Sequence, residues 1–132
     1  MVRVFKTRPF ERWRRKAHLS DDALCEAVAE MRHGLIGADL GGGLFKKRVP
    51  IPGRGKRGGA RVLVATHRGD RWFFVSGFQK NERDNIRADE LRAFQDVADA
   101  LLNMSPEALD RSSDAEALLE ICHDHSKEAR FS

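Results

Sequence analysis

The stretch Trp72–Val75, Trp-Phe-Phe-Val, limits the possible folds of this chain more than any other feature. Side chains of a strand alternate between the two faces of a sheet, so four bulky apolar residues in a row require both faces to be covered. We therefore predict a central strand over Arg71–Phe78 with helices packed above and below it. The preceding Arg68–Asp70 predicts a tight connection back to a neighbouring strand over Arg61–His67.

The N-terminal part of the chain predicts one strand followed by two helices. Apolar residues alternate over Val2–Phe5, which favours a short strand, and Thr7–Pro9 is a helix-opening signal for a helix that runs to about Ala17. Ser20 is a typical cap for a second helix, and Gly34 is suited to the position after its end. We expect these two helices to form a hairpin that packs on the sheet.

The rest of the chain predicts one more strand and two more helices. A strand follows the glycine turn at about Leu44–Val49, helical spacing extends over Ala88–Asn103, and a short helix starts near Ser105. The inward residues of the long helix are predicted to be Leu91, Phe94, Val97, Leu101 and Leu102.

The C-terminal region allows two interpretations. Ser113 and Glu116 have the spacing of a capping box, whereas Leu118–Cys122 has the composition of an added strand. No repeat or linker divides the chain, so we predict one α+β domain over 1–132, in which 105–132 is a C-terminal extension. Its core is expected to be a small, twisted, mostly antiparallel sheet carrying the helical hairpin and the C-terminal helices.

Three glycines, Gly53, Gly55 and Gly58, have the G-x-G-x-x-G spacing of many dinucleotide sites. In such a site the glycine turn follows a strand and opens a helix that binds the pyrophosphate. Here the turn follows Pro50–Pro52 and leads into a strand, so the order is inverted. A phosphate-binding loop of the Walker type is excluded as well, because Lys56 is followed by arginine rather than serine or threonine.

Charge is strongly segregated along the chain, although the net charge is only +4. Residues 1–87 carry 20 lysines and arginines against 9 acidic residues, whereas residues 88–132 carry 4 against 11. Between Leu40 and Gly69 there are eight basic residues and no acidic one. A field of one sign beside predicted strands favours a polyanionic partner such as nucleic acid.

The cysteines and the ends of the chain carry further expectations. Cys25 and Cys122 are far apart and belong to no C-x-x-C pair, so we expect reduced thiols and an intracellular, cytoplasmic protein without membrane attachment. Near the C-terminus Cys122, His123, Asp124 and His125 form the one cluster of metal-ligating residue types. Its spacing lacks the two separated ligand pairs of a structural zinc site, so no metal is predicted.

Three segments together resemble the RelE/HigB family of bacterial type II toxins. They are Gly43–Arg48 (G-L-F-K-K-R), Gly53–Arg61 (G-R-G-K-R-G-G-A-R) and Phe78–Glu82 (F-Q-K-N-E), in this order after a strand and two helices. The resemblance covers roughly Phe5–Met104. It implies a RelE-like α+β fold, ribosome-dependent cleavage of messenger RNA, and three partners: a cognate antitoxin, the ribosome and messenger RNA.

The resemblance also implies a reaction without metal or other cofactor. The RNA's own 2′-hydroxyl attacks the adjacent phosphate, which gives a 2′,3′-cyclic phosphate and a 5′-hydroxyl. Lys46, Lys47, Lys56 and Arg57 are open as phosphate binders or as the general base, and Arg61 is expected to stabilise the transition state. The predicted catalytic residues are Lys56, Arg57, Arg61, Lys80 and Arg83, the predicted RNA-binding residues are Lys46, Lys47, Arg48 and Arg54, and the candidates for ribosome docking are Arg12, Arg15 and Lys16.

The chain departs from the family in one respect, since it contains no tyrosine. Many relatives place a tyrosine or histidine near the site, and His123 or His125 is the substitute acid available here. Two other functions stay open: a ParE-like gyrase poison of the same fold, and a noncatalytic RNA-binding module. The second would need exposed aromatic rings for base stacking, whereas Trp72–Phe74 is predicted to lie in the core.

Overall fold

This computed structural model describes residues 2–51, 55–80, 83 and 85–123, without the side chains of 55–58. The described residues form six strands and four helices. None of these helices combines the length and the apolar character needed to cross a membrane. In chain order the elements are β1 (Arg3–Thr7), α1 (Arg8–Ala17), α2 (Asp21–Arg32), β2 (Ala38–Asp39), β3 (Leu44–Ile51), β4 (Gly55–Thr66), β5 (Arg71–Gln79), α3 (Ala88–Leu102), α4 (Pro106–Asp114) and β6 (Leu118–Ile121).

The strands form one sheet in the order β2-β3-β4-β5-β1-β6. Neighbours are antiparallel except β1 and β5, which are parallel, with Val4 opposite Trp72. A bulge between Leu63 and Val64 interrupts the pairing of β4 with β5. The predicted α+β class and the mostly antiparallel sheet are confirmed.

Strand β5 is covered on both faces, as its sequence predicts. Trp72 and Phe74 belong to the core under α1 and α2, whereas Phe73 and Val75 belong to the core under α3 and α4, and all four are buried. Helix α1 packs mainly against β5 and β1, with the rings of Phe10 and Phe74 at 5.3 Å, and α2 packs against β3. The helical hairpin itself is not confirmed, because each helix makes its main contacts with the sheet.

Side-chain caps begin three of the helices. The hydroxyls of Thr7, Ser20 and Ser105 accept hydrogen bonds from backbone N–H groups three residues later, which satisfies donors that a helix start leaves free. At the start of α3, the Glu90 carboxylate accepts from the N–H of Arg87 at 2.9 Å instead. The predicted helix starts at Thr7, Ser20 and Ser105 are thus confirmed.

The buried stripe of α3 differs from the prediction at Val97. Leu101 and Leu102 are buried and Leu91 and Phe94 pack partly against the same core, but Val97 is 40% exposed. Ala98 is fully buried in its place. The small side chain of Ala98 lets the helix lie close to the sheet, and Val97 lies at the side of the helix, partly exposed to solvent.

The C-terminal region forms a strand rather than a capped helix. Helix α4 ends at Asp114, Glu116 has a left-handed φ of 59°, and β6 pairs antiparallel with β1. The capping-box interpretation of Ser113 and Glu116 is therefore wrong. Pairing with β1 satisfies the backbone of β6 and buries Leu118 and Ile121, which a short helix at the surface would not do.

The expectation of reduced thiols is also wrong, because Cys25 and Cys122 form a disulfide. Their Cα atoms are 5.6 Å apart although 97 positions separate them in sequence. Cys25 lies on α2 and Cys122 directly follows β6, so the bond depends on β6 being added beside β1. The described residues contain no free cysteine.

A buried lysine ties β1 to both N-terminal helices. The Nζ of Lys6, whose side chain is 4% exposed, lies 2.7 Å from a carboxylate oxygen of Glu11 and 2.8 Å from one of Asp21. Arg14 donates two further hydrogen bonds to Glu11, at 2.6 and 2.9 Å. Hydrogen bonds from Arg14 and Lys6 lower the pKa of Glu11 to about 2.

We expect Glu11 to make folding stability depend on pH in the acid range. A lowered folded-state pKa contributes stability above the unfolded value of 4.5, and this contribution is lost as the pH falls towards 2. Urea unfolding at pH 7 should show Glu11→Gln to be less stable by on the order of 2 to 3 kcal/mol. The difference should shrink steadily below pH 4.5. A constant difference between the two proteins down to pH 2 would refute this role.

Candidate functional site

Three basic residues lie together on the α3 face of the sheet, and we call them the cationic cluster: Lys46, Arg48 and Arg61. Arg48 and Arg61 are directly paired across β3 and β4, and residues paired in this way point to the same face. Lys46 precedes Arg48 by two positions and shares that face, opposite Leu63. The pairing of two antiparallel strands thus gathers three cations that the sequence spreads over 16 positions.

Few counter-charges offset the cluster. Within the described residues, none of its three members forms an ion pair with a carboxylate, and the Nζ of Lys46 donates to the amide oxygen of Asn85 at 3.4 Å. Arg61 is only 8% exposed, and its Nη1 donates to the carbonyl of Ala60 at 3.5 Å. Burial, together with the nearby charge of Arg48, lowers the pKa of Arg61. An anion bound here would reduce the repulsion between the two guanidinium groups and offset the cost of desolvating Arg61.

A pocket of about 450 Å³ opens beside the cluster, at the edge of β3. Strand β2 pairs only with Phe45 and Lys46, so the edge of β3 beyond Lys46 is not covered by β2. The pocket is lined by Leu35, Gly37, Ala38, Lys46, Lys47, Arg48 and Arg61. Its volume suits a small ligand or one nucleotide of a longer chain.

Lys47 lies in the same pocket but its charge is already paired. It points to the opposite face of β3, where its Nζ lies 2.8 Å from the Glu30 carboxylate and donates to the carbonyl of Leu35 at 2.9 Å. Its side chain is 9% exposed. Lys47 is therefore less suited to binding phosphate than Lys46 or Arg48.

The other predicted catalytic and RNA-binding residues are placed as follows. Lys80 is exposed just after β5. Arg83 forms a bidentate ion pair with Glu90 of α3, and its Cζ lies 5.7 Å from the centre of the Phe78 ring. The pairing with Glu90 raises the pKa of Arg83. Lys56 and Arg57 belong to β4 but their side chains are not described, and Arg54 lies outside the described residues.

The proposed docking residues lie on another surface. Arg12, Arg15 and Lys16 are exposed on α1, which packs on the face of the sheet opposite to the cationic cluster. Arg15 pairs with Glu11 at 3.2 Å. The structure does not bring these residues together with Lys46, Arg48 and Arg61, so any role of theirs is separate from the pocket.

The C-terminal cluster of metal-ligating residue types is broken up. Cys122 is bonded to Cys25 and supplies no thiolate, while Asp124 and His125 lie outside the described residues. No group of residues in the described ranges has the arrangement of a metal site.

Sequence reasoning did not find four residues at the site, which are Leu35, Gly37, Ala38 and Asn85. Leu35 lines the pocket from the loop after α2, and Asn85 contacts Lys46 from the loop before α3. Glycines at positions 34 and 37, both with positive φ, were the available signal that the first loop has a fixed shape. Nothing in the sequence around Asn85 marks its approach to β3.

Two comparisons with known proteins bear on the site. The family model described as RelE toxin of RelE / RelB toxin-antitoxin system matches residues 2–121 of the chain, nearly its whole length. None of the curated proteins matches the chain significantly.

Proposed function

Because the chain belongs to the RelE toxin family, we propose that it is a toxin that cleaves messenger RNA on the ribosome and thereby stops translation. The family match supports the toxin role and a protein antitoxin as its partner. The cationic cluster supports cleavage of a phosphodiester, since Lys46, Arg48 and Arg61 meet at one pocket without a described carboxylate to neutralise them.

The roles of these residues follow from their burial and charge. A buried arginine stays protonated even with a lowered pKa, so Arg61 is suited to donate to a non-bridging phosphate oxygen as negative charge develops there. Lys46 and the exposed Arg48 are suited to hold the phosphate group in place. Lys56, Arg57 and Lys80 remain proposed catalytic residues. Arg83, which forms an ion pair with Glu90, is proposed to add positive charge near the site.

The proposed reaction is an internal phosphoryl transfer. The 2′-hydroxyl loses its proton to a general base, its oxygen bonds to phosphorus, and the bond from phosphorus to the 5′-oxygen breaks. The departing oxygen takes up a proton, which leaves a 2′,3′-cyclic phosphate and a 5′-hydroxyl. The protein's contribution is to neutralise charge at the phosphate and to align the attacking oxygen with the leaving one.

The RNA-binding alternative that relies on aromatic stacking has little support on β5. Trp72, Phe73 and Phe74 are fully buried, so none offers a ring face to a base. A gyrase poison of the same fold is separated from an RNA-cleaving toxin by the experiment below.

Expression of the protein alone is expected to stop growth by stopping translation, and co-expression of a matching antitoxin should restore it. The measurement follows incorporation of labelled amino acids and the appearance of DNA breaks after induction. An early fall in incorporation without DNA breaks supports the proposal. DNA breaks during continued protein synthesis would point to gyrase instead, and normal growth with abundant folded protein would refute the toxin role.

A further inference from the structure

Leu35 is an exposed apolar residue at a pocket that is otherwise strongly basic. The residue lines the pocket beside the cationic cluster and is 63% exposed. Among the described residues, the other exposed large apolar residue is Val97 on α3. It is 40% exposed and does not line this pocket. Phosphate binding gives no reason for an aliphatic side chain at this place.

The end of α2 explains why Leu35 is not packed onto the protein. The N–H of Leu35 donates to the carbonyl of Glu30 at 2.9 Å and that of Gly34 to Met31 at 3.1 Å, while Gly34 has a φ of +103°. This is the Schellman arrangement, in which the residue at the position of Leu35 frequently packs on the residue at the position of Glu30 or of Ala29. Here the Glu30 carboxylate is engaged with Lys47 and offers no apolar partner, and Leu35 remains 63% exposed.

The loop that carries Leu35 is fixed from two sides. Lys47 holds the carbonyl of Leu35 at 2.9 Å and the Glu30 carboxylate at 2.8 Å through the same Nζ. Gly37 lies so close to β3 that a Cβ on it would clash with the carbonyl oxygen of Lys46. The backbone therefore presents Leu35 at a set position next to Lys46 and Arg48.

We propose that Leu35 is a platform for one unstacked nucleobase of the RNA and that Lys47 is the residue that positions it. This inference rests on the proposed function and adds to it a contact with the base next to the bound phosphate. Proteins that act on single-stranded RNA hold splayed bases against flat or apolar side chains, and an aliphatic side chain accepts any base face. The cationic cluster would bind the backbone while Leu35 shields one base from water.

The test compares two short RNA oligomers at low salt, both with 2′-methoxy groups so that neither is cleaved. One carries normal bases, and the other has the same sugar-phosphate backbone without bases. We expect the wild type to bind the base-bearing oligomer roughly fivefold or more tightly, because contact between Leu35 and a base removes apolar surface from water. Leu35→Ser should remove this preference and leave binding of the abasic oligomer unchanged. Val97→Ser, which alters an exposed apolar residue outside the pocket, should keep the preference.

Three further variants, at Arg48 and Lys47, separate the positioning of Leu35 from the effect of charge. Arg48→Gln should weaken binding of both oligomers by the same factor and reduce its salt dependence. Lys47→Met should lose the preference for bases, and Lys47→Arg should restore it, because a merely structural defect would weaken both oligomers alike. Equal binding of the two oligomers by the wild type, or a preference that survives Leu35→Ser, would overturn the role of Leu35 and leave the RNA site standing. Failure to bind either oligomer would overturn the RNA site itself.

Discussion

Replacing Arg61 by alanine is expected to lower the rate of messenger RNA cleavage about 100-fold or more, on the order of 3 kcal/mol in the activation barrier. The guanidinium is held in place by burial in β4 and faces the same side as Arg48, where an RNA phosphate would acquire charge. A donor fixed before the reaction begins costs little reorganisation, which is why its loss has a large effect. Single-turnover cleavage on programmed ribosomes measures this rate.

The Arg61→Ala variant should fold normally, because burial and the charge of Arg48 already disfavour the arginine in the folded protein. Urea unfolding of the variant checks this point. Arg92→Ala removes an exposed arginine of α3 and serves as a matched control that should cleave at the wild-type rate. If folded Arg61→Ala cleaves as fast as Arg92→Ala, then Arg61 does not belong to the catalytic site.

Reduction of the disulfide is expected to lower the free energy of unfolding by about 4 to 5 kcal/mol, which is the chain-entropy value for a closed loop of roughly 100 residues. The bond between Cys25 and Cys122 closes a loop of 97 positions and anchors the end of β6 to α2. Reduction exchanges the bond for two protein thiols while a dithiol reductant becomes a cyclic disulfide. Urea unfolding with and without dithiothreitol measures the difference.

The double variant Cys25→Ser/Cys122→Ser is the control for this experiment. It should unfold like the reduced wild type and should not respond to dithiothreitol. We expect the variant to retain the sheet, since β6 is also held by Arg3, which donates two hydrogen bonds of 2.9 Å to Glu120. A difference below about 1 kcal/mol between oxidised and reduced protein would show that the bond contributes little to the fold.

Local chemistry in the sequence predicts much of this fold. The apolar run in β5 requires cover on both faces, and the hydroxyls of Thr7 and Ser20 mark helix starts because they satisfy free N–H groups. Contacts between distant segments are not predicted in this way. Whether Leu118–Ile121 forms a strand depends on a free edge at β1, and the pairing of Cys25 with Cys122 depends on that strand.

The candidate site, too, could be predicted from the sequence only in part. Charge density in the sequence identifies the basic residues, but only the register of β3 with β4 shows that Arg48 and Arg61 are paired while Lys47 points the other way. The ion pair of Lys47 with Glu30 depends on how α2 lies on β3, which no local sequence pattern encodes. The exposure of Leu35 beside the cationic cluster, at a helix end whose Glu30 is paired with Lys47, is likewise seen only in the folded chain.

The most direct test of the central claim is cleavage of one messenger RNA by the purified protein with and without programmed ribosomes, with analysis of the new RNA ends. Attack by a 2′-hydroxyl needs a fixed, splayed backbone, and holding the reacting groups in such a geometry is worth roughly 7 to 11 kcal/mol. The chain has no tyrosine to assist proton transfer, so this positioning by the ribosome is expected to matter greatly. Our account predicts rapid cleavage on the ribosome, slow cleavage of free RNA, and products with 2′,3′-cyclic phosphate and 5′-hydroxyl ends. Equal rates with and without ribosomes, or no cleavage in either case, would contradict it.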